Sequence, residues 1–250
     1  MRCRSISEGG VFLGASYLKW KAKCLLHLFP PTNRLIKKHW ERVNSGKLRN
    51  SQRRALQQNG ARIADKAVCV LRGLGLDPVM VGGNLLGLVR EGGFLKHDDD
   101  LDIAFVQDDD RVWSQIEERM TEAGFEKIRQ FEFQGVVTEQ AFEMDGLGVD
   151  LIGFVGSPTG RGLRSFFYGR YWDTFYPTAQ DHSVKYFDID PLECVIEVPV
   201  DGYNLPIPAN AEDWLAVLYG SGWKTPDPDW ETGSNWTTSE AFGKCTFFLR

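Results

Sequence analysis

The segment from Val81 to Ile103, VGGNLLGLVREGGFLKHDDDLDI, constrains the fold more than any other part of this 250-residue chain. An apolar run at 79–81 predicts a short buried strand, which ends at a Gly-Gly pair. Residues 84–90 predict a short helix, and the run DLDIAFV at 100–106 predicts a second strand with alternating faces. The segment therefore predicts a strand–turn–helix–strand unit with a cluster of carboxylates where its second strand begins.

Two of these carboxylates predict a metal site. Strand alternation places Asp100 and Asp102 on one face, with Leu101 and Ile103 towards the core. Carboxylates at positions i and i+2 lie about 7 Å apart at the backbone, and without a cation between them each would raise the pKa of the other. Mg²⁺, or alternatively Mn²⁺, suits such a site because it takes oxygen ligands and keeps positions open for phosphate oxygens.

The glycine pair and a following arginine predict phosphate binding. Gly82 and Gly83 allow the backbone to approach a phosphate closely at the start of a helix, where N–H groups point outwards. Arg90 lies two helical turns further on, on the same side, and can donate two hydrogen bonds to phosphate oxygens. Each feature alone has an ordinary explanation as a turn or a solvated strand edge, but their combination favours a metal–phosphate site.

The rest of the chain predicts an α+β (mixed α/β) fold, with a small mixed sheet flanked by helices. Residues 157–190 are rich in Gly, Arg and aromatic residues without clear periodicity, which predicts an irregular insertion over the site. Apolar periodicity predicts helices at 51–72, 110–123 and 211–219, and strands near 126–134, 136–144, 148–155 and 194–200.

The charge is divided unequally along the chain. Residues 1–60 carry a balance of +11 and the remainder −16, which predicts that the basic N-terminal arm meets something anionic. Residues 11–30 have helical spacing and predict either a helix lying on anionic lipid or a helix packed on the protein body. Because the sequence has no apolar run of 18 residues and no cleavage site, we expect a cytoplasmic protein, with peripheral contact at the inner face of the membrane left open.

The five cysteines add no site of their own. No two of them are spaced as a CxxC pair, which favours reduced thiols over disulfides or a zinc cluster.

The segment around the carboxylates also resembles the LicD/fukutin-related family of the polymerase-β-like nucleotidyltransferase superfamily. Asn84, Lys96 and His97 depart from the family motif, which has a small hydroxyl residue, Pro and Trp at these positions. The positions that fit are Gly83, Leu85, Leu86, Gly87, Arg90, Gly93, Phe94, Asp98, Asp99, Asp100, Asp102 and Ile103.

A second match lies downstream. It runs through Ile196–Pro199 and Leu205–Pro208 to Trp214–Pro226, so that the resemblance covers about residues 50–228. The chain then divides into a basic helical N-terminal extension (1–47), a catalytic domain with a nucleotidyltransferase-like core (48–228) and a C-terminal tail (229–250).

The resemblance implies a third carboxylate on a later strand. Asp150 is the best candidate, because the strand around it is otherwise apolar and a buried carboxylate requires a partner. An ion pair with an arginine elsewhere in the chain is the alternative explanation. Asp145 is a rival for the role, although Gly146 beside it is typical of a turn.

The resemblance further implies the reaction and the roles of individual residues. It implies a Mg²⁺-dependent phosphotransferase that moves a phosphorylated alcohol, such as phosphocholine or ribitol phosphate, from a CDP-alcohol to a hydroxyl of a cell-surface or lipid-linked glycan, releasing CMP. The candidate catalytic and metal-binding residues are Asp100, Asp102 and Asp150. The candidate substrate- and phosphate-binding residues are Gly82, Gly83, Asn84, Arg90, His97 and Asp99.

Two other functions stay open at this point. One is a nucleotidyltransferase that adds NMP to a small molecule or RNA and releases pyrophosphate, against which the downstream match argues. The other is a non-catalytic module whose arm binds membrane or nucleic acid, against which the three intact acids argue. We do not expect nucleic acid as a partner.

Overall fold

The computed structural model describes residues 34–168, 180–227, 229–231, 233–234 and 236–248. The helix predicted over 11–30 lies outside these ranges. The fold is α+β, as predicted, and no helix among the described residues has both the length and the apolar character needed to cross a membrane. Within these ranges the helices are α1 (Arg34–Gly73), α2 (Gly82–Glu91), α3 (Val112–Glu122) and α4 (Ala211–Tyr219).

The strands agree closely with the predicted ones up to residue 156. They are β1 (Val79–Met80), β2 (Asp100–Val106), β3 (Glu126–Phe133), β4 (Val136–Met144), β5 (Leu147–Gly156), β6 (Leu163–Tyr168), β7 (Gln180–Ile189), β8 (Val195–Val200), β9 (Tyr203–Pro208) and β10 (Thr237–Phe247).

Eight strands form one mixed sheet in the order β1-β2-β5-β4-β3-β10-β7-β6, while β8 and β9 form a separate hairpin. Only the β2–β5 pair is parallel among the described strands. Beyond its pairing with β2, β5 also pairs with β6 through Val155 and Gly156, so the strands from β5 round to β6 close a ring. The sheet is therefore larger and more curved than the small sheet predicted.

Helix α1 covers one side of this sheet. Its apolar residues Leu56, Ile63, Ala67 and Leu71 are fully buried, and the helix packs against β2 and β5. It is already helical at Arg34, the first described residue, well before the predicted start at residue 51. On β2, Leu101 and Ile103 are fully buried. The alternate residues Asp100 and Asp102 are left on the other face.

The prediction that residues 157–190 lack regular structure is wrong for the described part of this segment, which borders the cavity described below. Strands β6 and β7 lie within this segment and pair with each other. Phe166 stacks on Phe133 and Tyr168 stacks on Phe131, with ring centroids 4.6 Å and 4.4 Å apart. Because consecutive aromatic residues pack in this curved part of the sheet, the strand lacks the apolar–polar alternation that would have identified it.

Residues 237–247, within the segment assigned to a C-terminal tail, form β10 and pair with both β3 and β7. A register shift between Thr238 and Phe242 interrupts the pairing with β7. This irregularity disturbs the alternation of apolar and polar residues by which a strand is predicted. Cys245 is fully buried and packs with Phe131, Tyr168 and Val184. The segment is thus an internal strand of the sheet.

Replacing Cys245 by Asn tests this placement of β10. The substitution buries an amide among apolar side chains, and we expect the free energy of unfolding to fall by about 1–3 kcal/mol. Lys244→Asn introduces the same residue at the exposed neighbouring position and should change stability by about 0.5 kcal/mol or less. Urea unfolding measures both variants, and equal stabilities would contradict the placement.

Candidate active site

A cavity of about 1030 Å³ opens on the face of β2 that bears the acidic residues. It is bordered by the start of α2, by α1, by α4 with the segment that follows it, and by strands β3 to β7. The site residues predicted from sequence that line it are Gly82, Gly83, Arg90, His97, Asp99, Asp100, Asp102 and Asp150.

Three carboxylates converge in this cavity. Because β2 and β5 run in parallel, Asp102 lies directly beside Asp150, with Asp100 two residues earlier on the same face. Asp100, Asp102 and Asp150 each offer a ligand atom within 4.8 Å of the others. This arrangement of oxygen ligands could hold a divalent cation.

The electrostatics of the cluster also fit a cation. Burial, together with the neighbouring charge of Asp150, raises the pKa of Asp100 to about 7. Burial and then the charge of Asp100 raise the pKa of Asp102 well above its usual range. Close carboxylates withdrawn from water repel one another unless a positive charge lies among them, and a divalent cation would relieve this repulsion.

The sequence left two explanations open for the buried Asp150, a place in the carboxylate cluster or an ion pair with an arginine, and both apply. It belongs to the cluster of three acids, and it also accepts a hydrogen bond from Nη2 of Arg129. Burial raises the pKa of Asp150, while Arg129 opposes that increase. The rival Asp145 occupies a turn, with φ of 53°, and pairs with Arg62 at 2.6 Å. It therefore does not contribute to the cluster.

Gly82 and Gly83 explain how α2 begins so close to the acids. Gly82 has φ of 59°, and a Cβ atom on it would lie 2.8 Å from Oδ2 of Asp102. A Cβ atom on Gly83 would lie 2.6 Å from Oδ2 of Asp98. Because Gly82 and Gly83 have no side chains, the first turn of α2 packs against the carboxylates. The N–H groups of this turn have no partners within their own helix.

Asn84 is the predicted phosphate-binding residue that does not line the cavity. It is 1% exposed, its Oδ1 accepts the backbone N–H of Asp102 at 2.7 Å, and its Nδ2 donates to the carbonyl of Asp100 at 3.2 Å. The carboxamide therefore ties α2 to β2. A direct contact of Asn84 with a phosphate stays a prediction.

Arg90 lines the cavity, and its Nε–H has no hydrogen-bond partner among the described residues. Its Nη1 donates to the carbonyl of Trp223 at 3.3 Å, and its Nη2 donates to Glu91 at 3.0 Å. The Nε atom is buried. A phosphate or carboxylate oxygen in the cavity could satisfy this donor.

The loop before β2 forms the outer edge of the cavity. The side chain of His97 is 73% exposed, and Asp99 lies 3.8 Å from Nε of Arg49 on α1. Asp98 lies deeper, against Gly83, where burial raises its pKa to about 6.

Sequence reasoning missed several cavity residues. Arg129 and Glu139 on β3 and β4 line the cavity although no motif surrounds them. Many of the other lining residues are aromatic and come from distant segments; among them are Phe154, Phe166, Phe167, Tyr168, Phe187, Trp214, Tyr219, Trp223, Trp230 and Trp236. The sequence gave a signal for the aromatic run at 166–168 and for the residues within the downstream match at 214–226.

The match to a known family decides the assignment of the chain. The model of the LicD/FKTN/FKRP nucleotidyltransferase domain matches residues 75–210, which is more than half of the chain. The chain belongs to this family. The matched region contains Gly82, Gly83 and all three clustered acids, so the acid cluster lies within the family's nucleotidyltransferase domain. A nucleotide-type donor and a transfer reaction follow at this general level.

Solved structures add more distant similarities. ANT(2″)-Ia in complex with adenylyl-2″-tobramycin is 12% identical with a TM-score of 0.39, over 70% of this chain and 82% of that one. A putative nucleotidyltransferase from Thermotoga maritima is 18% identical with a TM-score of 0.36, over 62% and 80% of the two chains. A Megavirus polyadenylate synthase is 14% identical with a TM-score of 0.28, over 61% and 29%. Comparison with curated proteins gave no match.

Substituting Gly82 tests the close contact between α2 and Asp102. Gly82→Ala would push Asp102 out of the cluster, and we expect Mn²⁺ affinity to fall about 10–100-fold. Gly92→Ala is the matched control, because Gly92 also has a positive φ, 72°, but open space around its Cβ position. Both variants should lose about 1–2 kcal/mol of stability from the left-handed backbone, and only the first should lose Mn²⁺ binding. Mn²⁺ titration followed by electron paramagnetic resonance measures this, and equal affinities would contradict it.

Proposed function

We propose that this chain is a divalent-cation-dependent phosphotransferase that moves a phosphorylated alcohol from a CDP-alcohol to a glycan hydroxyl and releases CMP. The observation that carries the proposal is the convergence of Asp100, Asp102 and Asp150 beside the first turn of α2. Family membership supports a nucleotide-type donor. The cavity of about 1030 Å³ is at the upper end of the range for small-molecule sites and leaves room for a donor and part of an acceptor.

The three acids are the proposed ligands of the cation, with Mg²⁺ or Mn²⁺ as the candidates. When bound, the ion would supply positive charge that offsets charge on the phosphates of the donor. The carboxylates on β2 and β5 are held by the strand backbone, so their relative positions are fixed before a ligand arrives.

The N-terminal turn of α2 and Arg90 are the proposed phosphate-binding groups. N–H groups at a helix start attract anions, and Gly82 and Gly83 let a phosphate approach them. The unsatisfied Nε of Arg90 supplies a further donor in the same cavity wall. His97 and Asp99, at the outer edge, remain proposed contacts of the substrate.

The proposed step exchanges one bond to phosphorus for another. The acceptor hydroxyl oxygen bonds to the phosphorus that bears the alcohol, and the bond from that phosphorus to the bridging oxygen breaks. CMP leaves with the bonding electron pair, and the hydroxyl gives up its proton. Asp150 either completes the metal site or accepts this proton. An Asp150→Asn protein that binds Mn²⁺ normally but does not turn over would identify the second role.

Substituting Asp102 tests the proposal directly. We expect Asp102→Asn to lower the rate of CMP release from a CDP-alcohol by at least ~10³-fold, because metal positioning contributes several kcal/mol to the barrier. Asp145→Asn is the matched control, since Asp145 is an exposed acid outside the cluster. Chelation with EDTA should abolish release, and adding back Mg²⁺ should restore it. Wild-type turnover by Asp102→Asn would overturn the proposal.

The same assay distinguishes the proposed transfer from NMP transfer. The protein is incubated with CTP, ATP, CDP-choline and CDP-ribitol, and detection of CMP or pyrophosphate shows which phosphorus is attacked. CMP formed only from a CDP-alcohol supports the proposed transfer. Pyrophosphate formed from a nucleoside triphosphate would instead assign the chain to NMP transfer. The preferred CDP-alcohol then identifies the transferred group.

A further inference from the structure

We propose that Arg129 is a positioning residue for the metal site, which holds Asp150 towards Asp100 and Asp102 from two strands away. The inference rests on the cation site of the proposed function and adds to it a residue outside the two segments on which the family resemblance rests. Nη2 of Arg129 donates a hydrogen bond to Oδ2 of Asp150. Both side chains line the cavity, with the arginine 18% and the aspartate 12% exposed.

Strand register brings the two residues together. Asp102 on β2 lies beside Asp150 on β5, Asp150 pairs with Ala141 on β4, and Ala141 pairs with Arg129 on β3. Directly paired residues of adjacent strands project to the same face of a sheet. The four residues therefore form one row across four strands, with the metal cluster at one end and the guanidinium at the other.

The small residue in the middle of this row makes the contact possible. Neighbouring strands lie about 4.8 Å apart, so Arg129 must span two strand spacings to reach Asp150. Ala141 is completely buried and presents only a methyl group between them. A long arginine side chain can cross above that methyl group, whereas a larger residue at 141 would obstruct it.

Glu139 anchors the arginine from a second side. It lies two residues before Ala141 on β4, and its Oε1 is 3.7 Å from the same Nη2 atom that contacts Asp150. Its side chain is 13% exposed, so it too is largely withdrawn from solvent. Swinging Arg129 out of the cavity would leave two buried carboxylates without this cation, which is costly. The guanidinium therefore stays beside Asp150.

This contact orients one oxygen of Asp150 and leaves the other available to a cation. A hydrogen bond to one carboxylate oxygen restricts rotation of the group, as outer-shell partners of metal ligands commonly do. A competing explanation is that Arg129 takes the place of the cation and excludes it. The two explanations predict opposite effects of removing the arginine on metal affinity.

Mn²⁺ binding by the purified full chain, measured without nucleotide, tests the inference. We expect Arg129→Gln to weaken Mn²⁺ binding about 10–100-fold. Arg164→Gln is the matched control, because Arg164 is 16% exposed and pairs with Asp188 at 2.6 Å outside the acid cluster. It breaks a comparable ion pair and should retain wild-type Mn²⁺ affinity. Unchanged or tighter binding by Arg129→Gln would overturn the positioning role, and tighter binding would identify Arg129 as a competitor of the ion.

Two further variants keep the inference testable if Arg129→Gln does not fold. Arg129→Lys keeps the positive charge but not the forked donor, and we expect a smaller loss of Mn²⁺ affinity than for Arg129→Gln. If Arg129→Gln does not fold, wild-type affinity in Arg129→Lys overturns the inference. Ala141→Val places extra methyl groups beneath the guanidinium and should also weaken Mn²⁺ binding. Wild-type affinity in this variant would contradict the inference that the Arg129 side chain passes over residue 141. A wild-type protein that binds no divalent cation would defeat the proposed function itself.

Discussion

The parallel pairing of β2 with β5 is the interaction on which the candidate site depends. Asp102 and Asp150 are 48 residues apart in sequence, and only this register sets them side by side. Parallel neighbours in register project to the same face, so Asp100 joins them from two residues earlier. A shift of one residue would turn Asp150 to the opposite face, where α1 covers β5. The proposed cation site therefore requires β2 and β5 to pair in this register.

The rest of the architecture makes a concentration of negative charge tolerable. Asp100, Asp102, Asp150 and Glu139 lie close together with raised pKa values, each chiefly because burial penalises the charged form. The first turn of α2 supplies partial positive charge from one side, and Arg129 supplies a full charge from the other. A divalent cation at the cluster would complete this balance. The first turn of α2 is also one of the proposed phosphate-binding groups.

The closed ring of strands explains the other half of the cavity. Because β10 and β7 complete a curved sheet, aromatic residues from 154 to 236 meet around a single space. Phe187 and Trp236, for example, come from a strand and from the segment before β10, with ring centroids 4.9 Å apart. The cavity is therefore lined by both aromatic and charged side chains, as suits a ligand with both a phosphate group and an organic portion.

Local patterns in the sequence determined the strand–helix–strand unit at 79–106, the face of β2 that bears Asp100 and Asp102, and the helix at 211–219. These features depend on neighbouring residues alone, through periodicity and the conformational freedom of glycine. Asp150 was predicted because the family resemblance implies a third carboxylate and because an acid within an otherwise apolar strand is unusual. Tertiary structure alone decided that β10 enters the sheet, that Asn84 turns to the backbone, and that Arg129 reaches Asp150 over Ala141. Such contacts depend on the register between strands distant in sequence, which no local pattern encodes.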